Sequence, residues 1–385
     1  MNFEFNEDQK IIQETVRDFA QTRLSKVAER MDREDYWPHD LFLELGELGL
    51  LGPTVPEEYG GAGADYIVQA IILEELAKVS PAFALSIGAH SNLVLDNIRR
   101  NANHEQKQKY LPRLCSGEWM GALCLTEPDH GSDALGMETT ARREGDYYVL
   151  NGSKTFITNA PLAQLGIVYA KTRPDLGPKG ISAFLVELDS EGVSRGKAMD
   201  KMGMRGSKTG ELFFDEVKVP AENLMGIENE GRKIVMSGLS AERATLAAIS
   251  VGICQRAGEI ALNYSLEREQ FGQKIANFQM IQDKLARMYV EGKASRLLVY
   301  WALKEIERDH RANVPAAASI YYAAERSTQI ALDAIQVLGG YGYMKEYEIE
   351  KFARDAKLLE IGAGTSEIRK LIIAKELIRK GKFEL

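Results

Sequence analysis

In the segment VMSGLSAERATLAAISVGI, residues Val235, Leu239, Leu246, Ile249 and Ile253 recur at helical spacing, and Glu242 falls on the same stripe. A helix normally keeps carboxylates off the face it buries. A charge taken out of water without a partner is costly and tends to take up a proton instead. Two chemistries suit the position: an ion pair or turn cap that neutralises Glu242, or a desolvated general base with a raised pKa. The pattern alone leaves both open. A second segment, IGAGTSEIRKLII, places Gly362 and Gly364 around Ala363, then Thr365, Ser366 and Glu367 at the head of an amphipathic helix with Ile368, Leu371 and Ile372. A Thr or Ser cap with free backbone N–H groups behind it can dock an anion or a heterocycle, and is equally an ordinary cap after a flexible turn. A third segment, GALCLTEPDHGSD (121–133), mixes hydroxyls, acids and glycine as ligand-binding loops do. Its Glu127, Asp129 and Asp133 could equally be solvated charges.

The elements that must hold these segments come in a simple order. The first hundred or so residues read as helix, opened by Asn6 and Gln9 at capping-box spacing, with Ile12, Val16 and Phe19 on one face. PEEYGGAGAD (56–65) reads as a glycine-rich connector; it lacks the strand context and spacing of a dinucleotide fingerprint. Near residue 120 the pattern turns to strands. Tyr147–Leu150 runs into Asn151-Gly152, which predicts a two-residue hairpin turn, and β-rich runs come after it at Gly166–Ala170, Ile181–Leu188 and Glu211–Val219, ending at Pro220. Beyond about 228 the chain is helical again, with Gly339-Gly340 interrupting a long helix. The expected organisation is α+β: a helical unit 1–119, a β unit 120–227 and a helical unit 228–385.

Composition narrows the function classes. With 385 residues, 45% hydrophobic and 27% charged, the chain is long enough for two or three modules with a buried core. A net charge of -8 argues against nucleic-acid binding. The three cysteines are widely spaced and the five histidines show no ligand spacing, so neither a disulfide framework nor a metal site is expected. No apolar run approaches the roughly 20 residues of a bilayer span, and MNFEFNEDQK has no signal-peptide pattern. A cytoplasmic bacterial or archaeal protein is the expectation, with a trimmed mitochondrial matrix form as the alternative.

Taken together, the motifs resemble the acyl-CoA dehydrogenase family along essentially the entire chain. CLTEPDHGSD is similar to the family's T-E-P-x-x-G-S-D signature, and KTFITN (154–159) to its flavin-contacting strand. REQFGQKI (268–275) with Phe278-Gln279, and QVLGGYGY (336–343), are similar to its later cofactor segments. The resemblance implies an N-terminal helical domain, a central β-barrel-like domain and a C-terminal four-helix bundle, with FAD between the last two in a homotetramer. It implies flavin contacts from Leu123, Cys124, Leu125, Thr126, Gly131 and Ser132, from Phe156, Ile157 and Thr158, and from Thr365, Ser366 and Glu367. Phe156 stands where Trp is common, and His130 where small residues are common. Arg268, Phe271, Gln279, Gln336, Val337, Gly339 and Gly340 would meet the FAD of an adjoining subunit. Many members carry their base in Y-E-G-T; here Gly362-Ala363-Gly364-Thr365 lacks that carboxylate. In the isovaleryl-CoA branch the base instead lies in a helix motif similar to S-G-L-x-x-E-R, matched here by Ser237–Arg243. The resemblance and the apolar stripe therefore select the same residue, Glu242. GAHSNL (88–93) and IGAGTSE (361–367) also resemble this branch.

The activity implied by the resemblance is α,β-dehydrogenation of a short branched acyl-CoA, with electrons passed to an electron-transfer flavoprotein. Glu242 would be the base and the Ala363 N–H a donor to the thioester oxygen; Arg243 would organise the site or meet CoA. Ser132, Ser240, Arg243, Leu246, Gly362 and Gly364 would surround the substrate. Gly362 in place of Tyr leaves space for a branch. The alternatives are the same chemistry on a long-chain, other branched, aryl-substituted or dicarboxylyl acyl-CoA, an oxygen-reactive flavoenzyme, or a non-catalytic assembly protein of the same fold. No arginine in SIGAHSNLVLDN is placed to receive a second carboxylate.

Overall fold

The computed structural model describes residues 4–383. Seven helices come first: α1 (Glu7–Phe19), α2 (Ser25–Glu34), α3 (His39–Glu47), α4 (Tyr66–Ala77), α5 (Pro81–Gly88), α6 (Asn97–Asn101) and α7 (His104–Cys115). The capping box that opens α1 is present, with Gln9 N donating to Asn6 Oδ1 at 2.8 Å and Asn6 N to Gln9 Oε1 at 3.1 Å. Asn103 and Gln106 repeat the device at α7. α4 is buried along its whole length; apolar residues lie all round it, and its Glu74 and Glu75 are ion-paired with Arg296 and with Arg17 and Lys78. Between α5 and α6 the chain stays helical but widens into a π-helical segment, Ala89–Asp96. Such widening re-aims side chains and recurs at functional sites.

The middle of the chain forms one sheet from β1 (Gly121–Cys124), β2 (Thr140–Glu144), β3 (Tyr147–Thr158), β4 (Leu165–Lys171), β5 (Ile181–Glu187), β6 (Val193–Arg195), β7 (Thr209–Pro220) and β8 (Leu224–Met225). The strand order is β6-β7-β3-β2-β4-β5-β8, with β1 parallel to β4. β4 and β5 are buried on both faces. Leu165, Ile167, Tyr169 and Leu185 pack toward the π-helical segment and α6–α7, while Val168, Phe184 and Val186 face the opposite core. That first face is the one the functional site uses.

The hairpin expected at Asn151-Gly152 is not there. β3 runs straight through both residues, and the turn between β2 and β3 lies earlier, at Gly145 with φ +61°. A register shift against β7 falls between Leu150 and Gly152. A Cβ at residue 152 would sit 2.5 Å from Thr139 Oγ1, so glycine is required by the close approach of the Thr139 backbone segment and not by a turn. Asn151 reaches across to Glu216, accepting from its N–H at 2.9 Å.

The last five helices are α8 (Gly231–Glu267), α9 (Gln279–Arg308), α10 (Asn313–Leu338), α11 (Ile349–Leu359) and α12 (Ser366–Lys380), with a small hairpin of β9 (Glu269–Gln270) and β10 (Gln273–Lys274) after α8. Gly339, at φ +61°, ends α10 as the sequence predicts. α8, with 37 residues, is long and apolar enough to cross a bilayer, but it lies at the centre of the bundle against α4, α9 and α10.

One buried ion pair ties the loop after β1 to the sheet. Lys154 Nζ, fully buried, donates to Glu127 Oε1 at 2.8 Å and to Leu125 O at 3.2 Å, and Glu127 also accepts from Thr139 N at 3.0 Å. Glu127 is therefore a structural anchor, not a solvated charge. Removing one partner leaves the other charge buried and unpaired, so Lys154→Met should lower the unfolding free energy by about 3–5 kcal/mol. In urea unfolding, the double change Lys154→Met with Glu127→Gln should recover part of that loss.

Candidate active site

Glu242 lies in the first third of α8, where Val235, Leu239 and Glu242 face a narrow cavity. The opposite walls come from Leu93 of the π-helical segment, Leu123 and Leu125 on and just after β1, and Tyr169 of β4. Among the described residues the carboxylate makes no hydrogen bond and no ion pair. Burial pushes its pKa up to about 7, against the opposing pull of the Arg243 and Arg369 guanidinium groups. An acid held this way is half-ionised near neutrality, as a general base requires. Of the two chemistries open for this position, the ion-paired or capping one is not what the structure holds.

The segment after α11 folds over the same region. Leu359 ends the helix, residues 360–364 turn, and Thr365 caps α12 by accepting from Ile368 N at 3.3 Å. Ala363 is left-handed at φ +57° and Gly364 at φ +90°. Arg243 does not pair with Glu242; its Nε donates to Ala363 O at 3.1 Å. A side chain at Gly362 would meet only Leu358, at 3.5 Å or more. Glu242, Arg243, Gly362, Ala363 and Gly364 are thus brought together.

Ser240 is not. Two residues before Glu242 it points about 200° away round the helix, and its buried hydroxyl donates to Asn313 Oδ1 at 2.6 Å. Leu246, one turn beyond Glu242, is half-buried against the helical core. Leu123 reaches the cavity, but the Cys124 side chain is fully buried in the core of the sheet. Thr126 is joined to the next strand through Thr155 N at 2.9 Å, which brings the 123–126 and 156–158 segments side by side. Gly131 and Ser132 are exposed on the loop, where His130 turns inward toward Gly136 and Glu138.

Phe156 carries the observation that bears on a flavin. Its ring is 68% exposed on a backbone at φ +55°, inside a register shift between Lys154 and Ile157 of β3. A left-handed conformation costs a non-glycine residue roughly 1–2 kcal/mol, and such strain clusters where ligands are clamped. A flat heterocycle laid on that ring would bury it, so these residues fit the group. Ile157 points inward, Thr158 is half-buried, and Thr365, Ser366 and Glu367 form the head of α12. Arg268, Phe271, Gln279, Gln336, Gly339 and Gly340, with buried Val337 behind them, lie at the other end of the bundle. Arg268 is 26 positions beyond Glu242 on one helix, about 39 Å at 1.5 Å per residue. The two groups cannot meet within a single chain's site.

Several residues of the site have no clear signal in the sequence. Arg369, fully buried on α12, donates to Leu359 O at 2.8 Å and to Gly362 O. Arg100 lines the cavity floor, held by Asp96 Oδ2 at 2.7 Å and Ser237 Oγ at 3.2 Å. It lies three residues beyond the end of SIGAHSNLVLDN. His90 is buried and neutral, its pKa lowered to about 4 by burial; it accepts from Gly121 N and donates to Leu114 O, fixing the start of β1. A wider open cleft lined by Tyr36, Trp37, Met120 and Leu162 lies elsewhere, and its Lys208 and Asp35 are paired at 2.7 Å.

Family models describing the acyl-CoA dehydrogenase N-terminal, middle and C-terminal domains match residues 6–118, 122–217 and 229–378. The chain is 48% identical over 378 residues to a mitochondrial isovaleryl-CoA dehydrogenase of Solanum tuberosum, covering 98% of this chain and 92% of the relative. It is 46% identical to a mitochondrial 2-methylacyl-CoA dehydrogenase of the same plant, covering 97% and 91%. The structure of butyryl-CoA dehydrogenase from Megasphaera elsdenii superimposes with a TM-score of 0.96 at 38% identity, covering 98% and 100%.

The raised pKa of Glu242 has a consequence for stability. A carboxyl with a folded pKa of about 7 binds its proton more tightly in the native state, so the stabilisation is complete below the unfolded value near 4.5 and is lost as pH rises through 7. Glu242→Gln cannot lose it. Between about pH 5 and pH 8, the unfolding free energy of the variant should therefore gain on the wild type by on the order of 2–3 kcal/mol, read by denaturant titration.

Proposed function

The chain belongs to the acyl-CoA dehydrogenase family of FAD-dependent oxidoreductases, and within that family we propose that it dehydrogenates a short branched acyl-CoA of the isovaleryl type. The observation that carries this reading is Glu242: a buried carboxylate with no partner among the described residues, on the helix stripe and walled by leucine and valine side chains, with no side-chain carboxylate at residues 362–364.

The chemistry is set by the groups present. Glu242 takes the α-proton onto its carboxylate, and its pKa near 7 matches it to neutral operation. Negative charge then gathers on the thioester oxygen. The Ala363 N–H, which has no hydrogen-bond partner among the described residues, donates to it. Leu93, Leu123, Leu125, Val235 and Leu239 hold the acyl chain and exclude water, and Gly362 leaves room for a branch. Arg243 holds the Ala363 carbonyl and organises the turn. FAD, when bound, supplies the acceptor for the hydride that leaves the β-carbon. It would be held by the 123–126 and 156–158 segments, by Gly131 and Ser132, and by Thr365, Ser366 and Glu367. Arg100 is already engaged by Asp96 and Ser237, which favours an uncharged acyl chain over a dicarboxylyl one.

The 39 Å gap between Glu242 and Arg268 supports a homotetramer in which Arg268, Phe271, Gln279, Gln336, Val337, Gly339 and Gly340 serve a neighbour's FAD. So does the exposed apolar surface of the bundle, where Phe271 is 93%, Tyr343 83% and Met280 81% accessible in the single chain. An electron-transfer flavoprotein as acceptor completes the reading by family likeness, in a cytoplasmic setting or, as for the Solanum tuberosum relatives, a mitochondrial one.

Anaerobic mixing with a panel of acyl-CoAs tests it. Isovaleryl-CoA should bleach the bound flavin faster than butyryl-, octanoyl- or glutaryl-CoA. Glu242→Gln should bind the thioester but bleach about 10²–10⁴-fold more slowly. In the wild type the bleaching rate should rise with pH through about 7, as Glu242 ionises. Fast bleaching of the variant would leave Glu242 a structural carboxylate, and a different best substrate would overturn the isovaleryl assignment alone. Sedimentation should report a tetramer.

A further inference from the structure

The turn between α11 and α12 is built from residues that favour no single orientation. Gly362 and Gly364 flank Ala363, so the two peptide planes that include Ala363 have unusual freedom to rotate. The reading of the Ala363 N–H as the thioester donor nevertheless requires one of those planes to stay fixed. A planar trans peptide points its carbonyl and its N–H in opposite directions. The carbonyl of Gly362 and the N–H of Ala363 belong to the same plane, so whatever holds Gly362 O also aims the Ala363 N–H.

We propose that Arg369 is a positioning residue for the dehydrogenation: its guanidinium grips Leu359 O and Gly362 O and thereby keeps the Ala363 N–H turned toward the substrate thioester. This rests on the donor role proposed for Ala363. Arg369 comes from the second turn of α12 and is fully buried beneath the turn. One nitrogen, Nη1, donates to Leu359 O at 2.8 Å, and the other, Nη2, to Gly362 O. The forked headgroup spans the last carbonyl of α11 and the key carbonyl of the turn, which a single-point donor could not do. Arg243 completes the clamp from α8, its Nε holding the next carbonyl, Ala363 O, at 3.1 Å. Elsewhere in the turn, the N–H groups of Ile361 and Gly362 donate to Leu358 O at 2.9 and 2.8 Å, and that of Ser366 to Glu360 O at 2.9 Å. The N–H groups of Ala363, Gly364 and Thr365 have no hydrogen-bond partner among the described residues, and of these only that of Ala363 shares its peptide plane with the Gly362 carbonyl.

Burying a guanidinium is costly, and among the described residues Arg369 has no carboxylate within hydrogen-bonding distance, and its Nε is buried without a partner. Capping the C-terminus of α11 accounts for the bond to Leu359 O, but not for the second bond, to Gly362 O beyond the helix end. Losing the grip on Gly362 O would let the 362–363 plane rotate and present a carbonyl, not an N–H, to the thioester oxygen.

The test reads the thioester carbonyl directly. In a Glu242→Gln background, where turnover is blocked, isovaleryl-CoA labelled with 13C at the carbonyl is bound to the holoenzyme and its infrared stretch compared with the free thioester. The stretch should be lowered on binding, and adding Arg369→Met should move it back toward the free value. In the otherwise wild-type enzyme, Arg369→Met should lower kcat about 10²-fold or more, the loss typical of one oxyanion donor, with KM changed by no more than a few-fold. If Arg369→Met fails to fold, Arg369→Lys is read the same way: it keeps the charge but cannot fork, and should give an intermediate shift. No lowering in Glu242→Gln alone would remove the donor role of Ala363 and this proposal with it. A lowered stretch that Arg369→Met or Arg369→Lys leaves unchanged would overturn the role of Arg369 while the donor stands.

Discussion

Water is kept from the Glu242 carboxylate, and most of the architecture around it serves that end. A bare carboxylate in an apolar medium is so unfavourable that it either finds a partner or stays protonated. Here Leu93, Leu123, Leu125, Val235 and Leu239 wall it in and no partner is offered, so its proton is held up to about pH 7. The walls come from four distant stretches of chain. α8 must be long and central to carry the carboxylate, the π-helical segment must widen to place Leu93, and β1 and β4 must be buried on the face that closes the cavity. His90 ties the π-helical segment to β1, and the Glu127–Lys154 pair ties the loop after β1 to the rest of the sheet.

The positive charges near Glu242 are arranged so that none quenches it. Arg243 and Arg369 lie close enough to oppose the rise in its pKa, yet both direct their N–H groups at backbone carbonyls of the turn after α11. Arg100 is likewise taken up by Asp96, which is shared with Arg99. The site thus combines guanidinium groups with a carboxyl that remains free. A direct ion pair with any of them would lower its pKa, away from neutrality.

How far the molecule is legible in its sequence depends on whether the signal is local. The capping box at Asn6 and Gln9, the Thr365 cap and the break at Gly339 depend on residues a few positions apart, and all three are present as read. Glu242 is legible because a single carboxylate interrupts an apolar stripe. The Asn151-Gly152 reading fails because a glycine needed for close approach of Thr139 looks the same in sequence as one needed for a turn. Ser240 fails because a motif carries residues on every face of its helix, and only some of them meet the cavity. Arg369 and Lys154 escape notice for a different reason. Each is a charged residue whose partners are carbonyls or a carboxylate brought in by the fold, so that its surroundings in the sequence suggest a solvated surface position.

The three residues of the turn differ in how free they are to vary. Ala363 and Gly364 sit at positive φ, where most side chains are strained, and Gly364 is also approached by Arg243. Gly362 carries neither restriction: its backbone accepts any residue, and only Leu358 stands near where a side chain would begin. Divergence at this site therefore has one open dial. On the proposed reading, a single codon change at 362 would reshape the substrate range while leaving Glu242, the turn and the surrounding scaffold intact, which makes this the position where natural drift or deliberate engineering would first find new acyl groups.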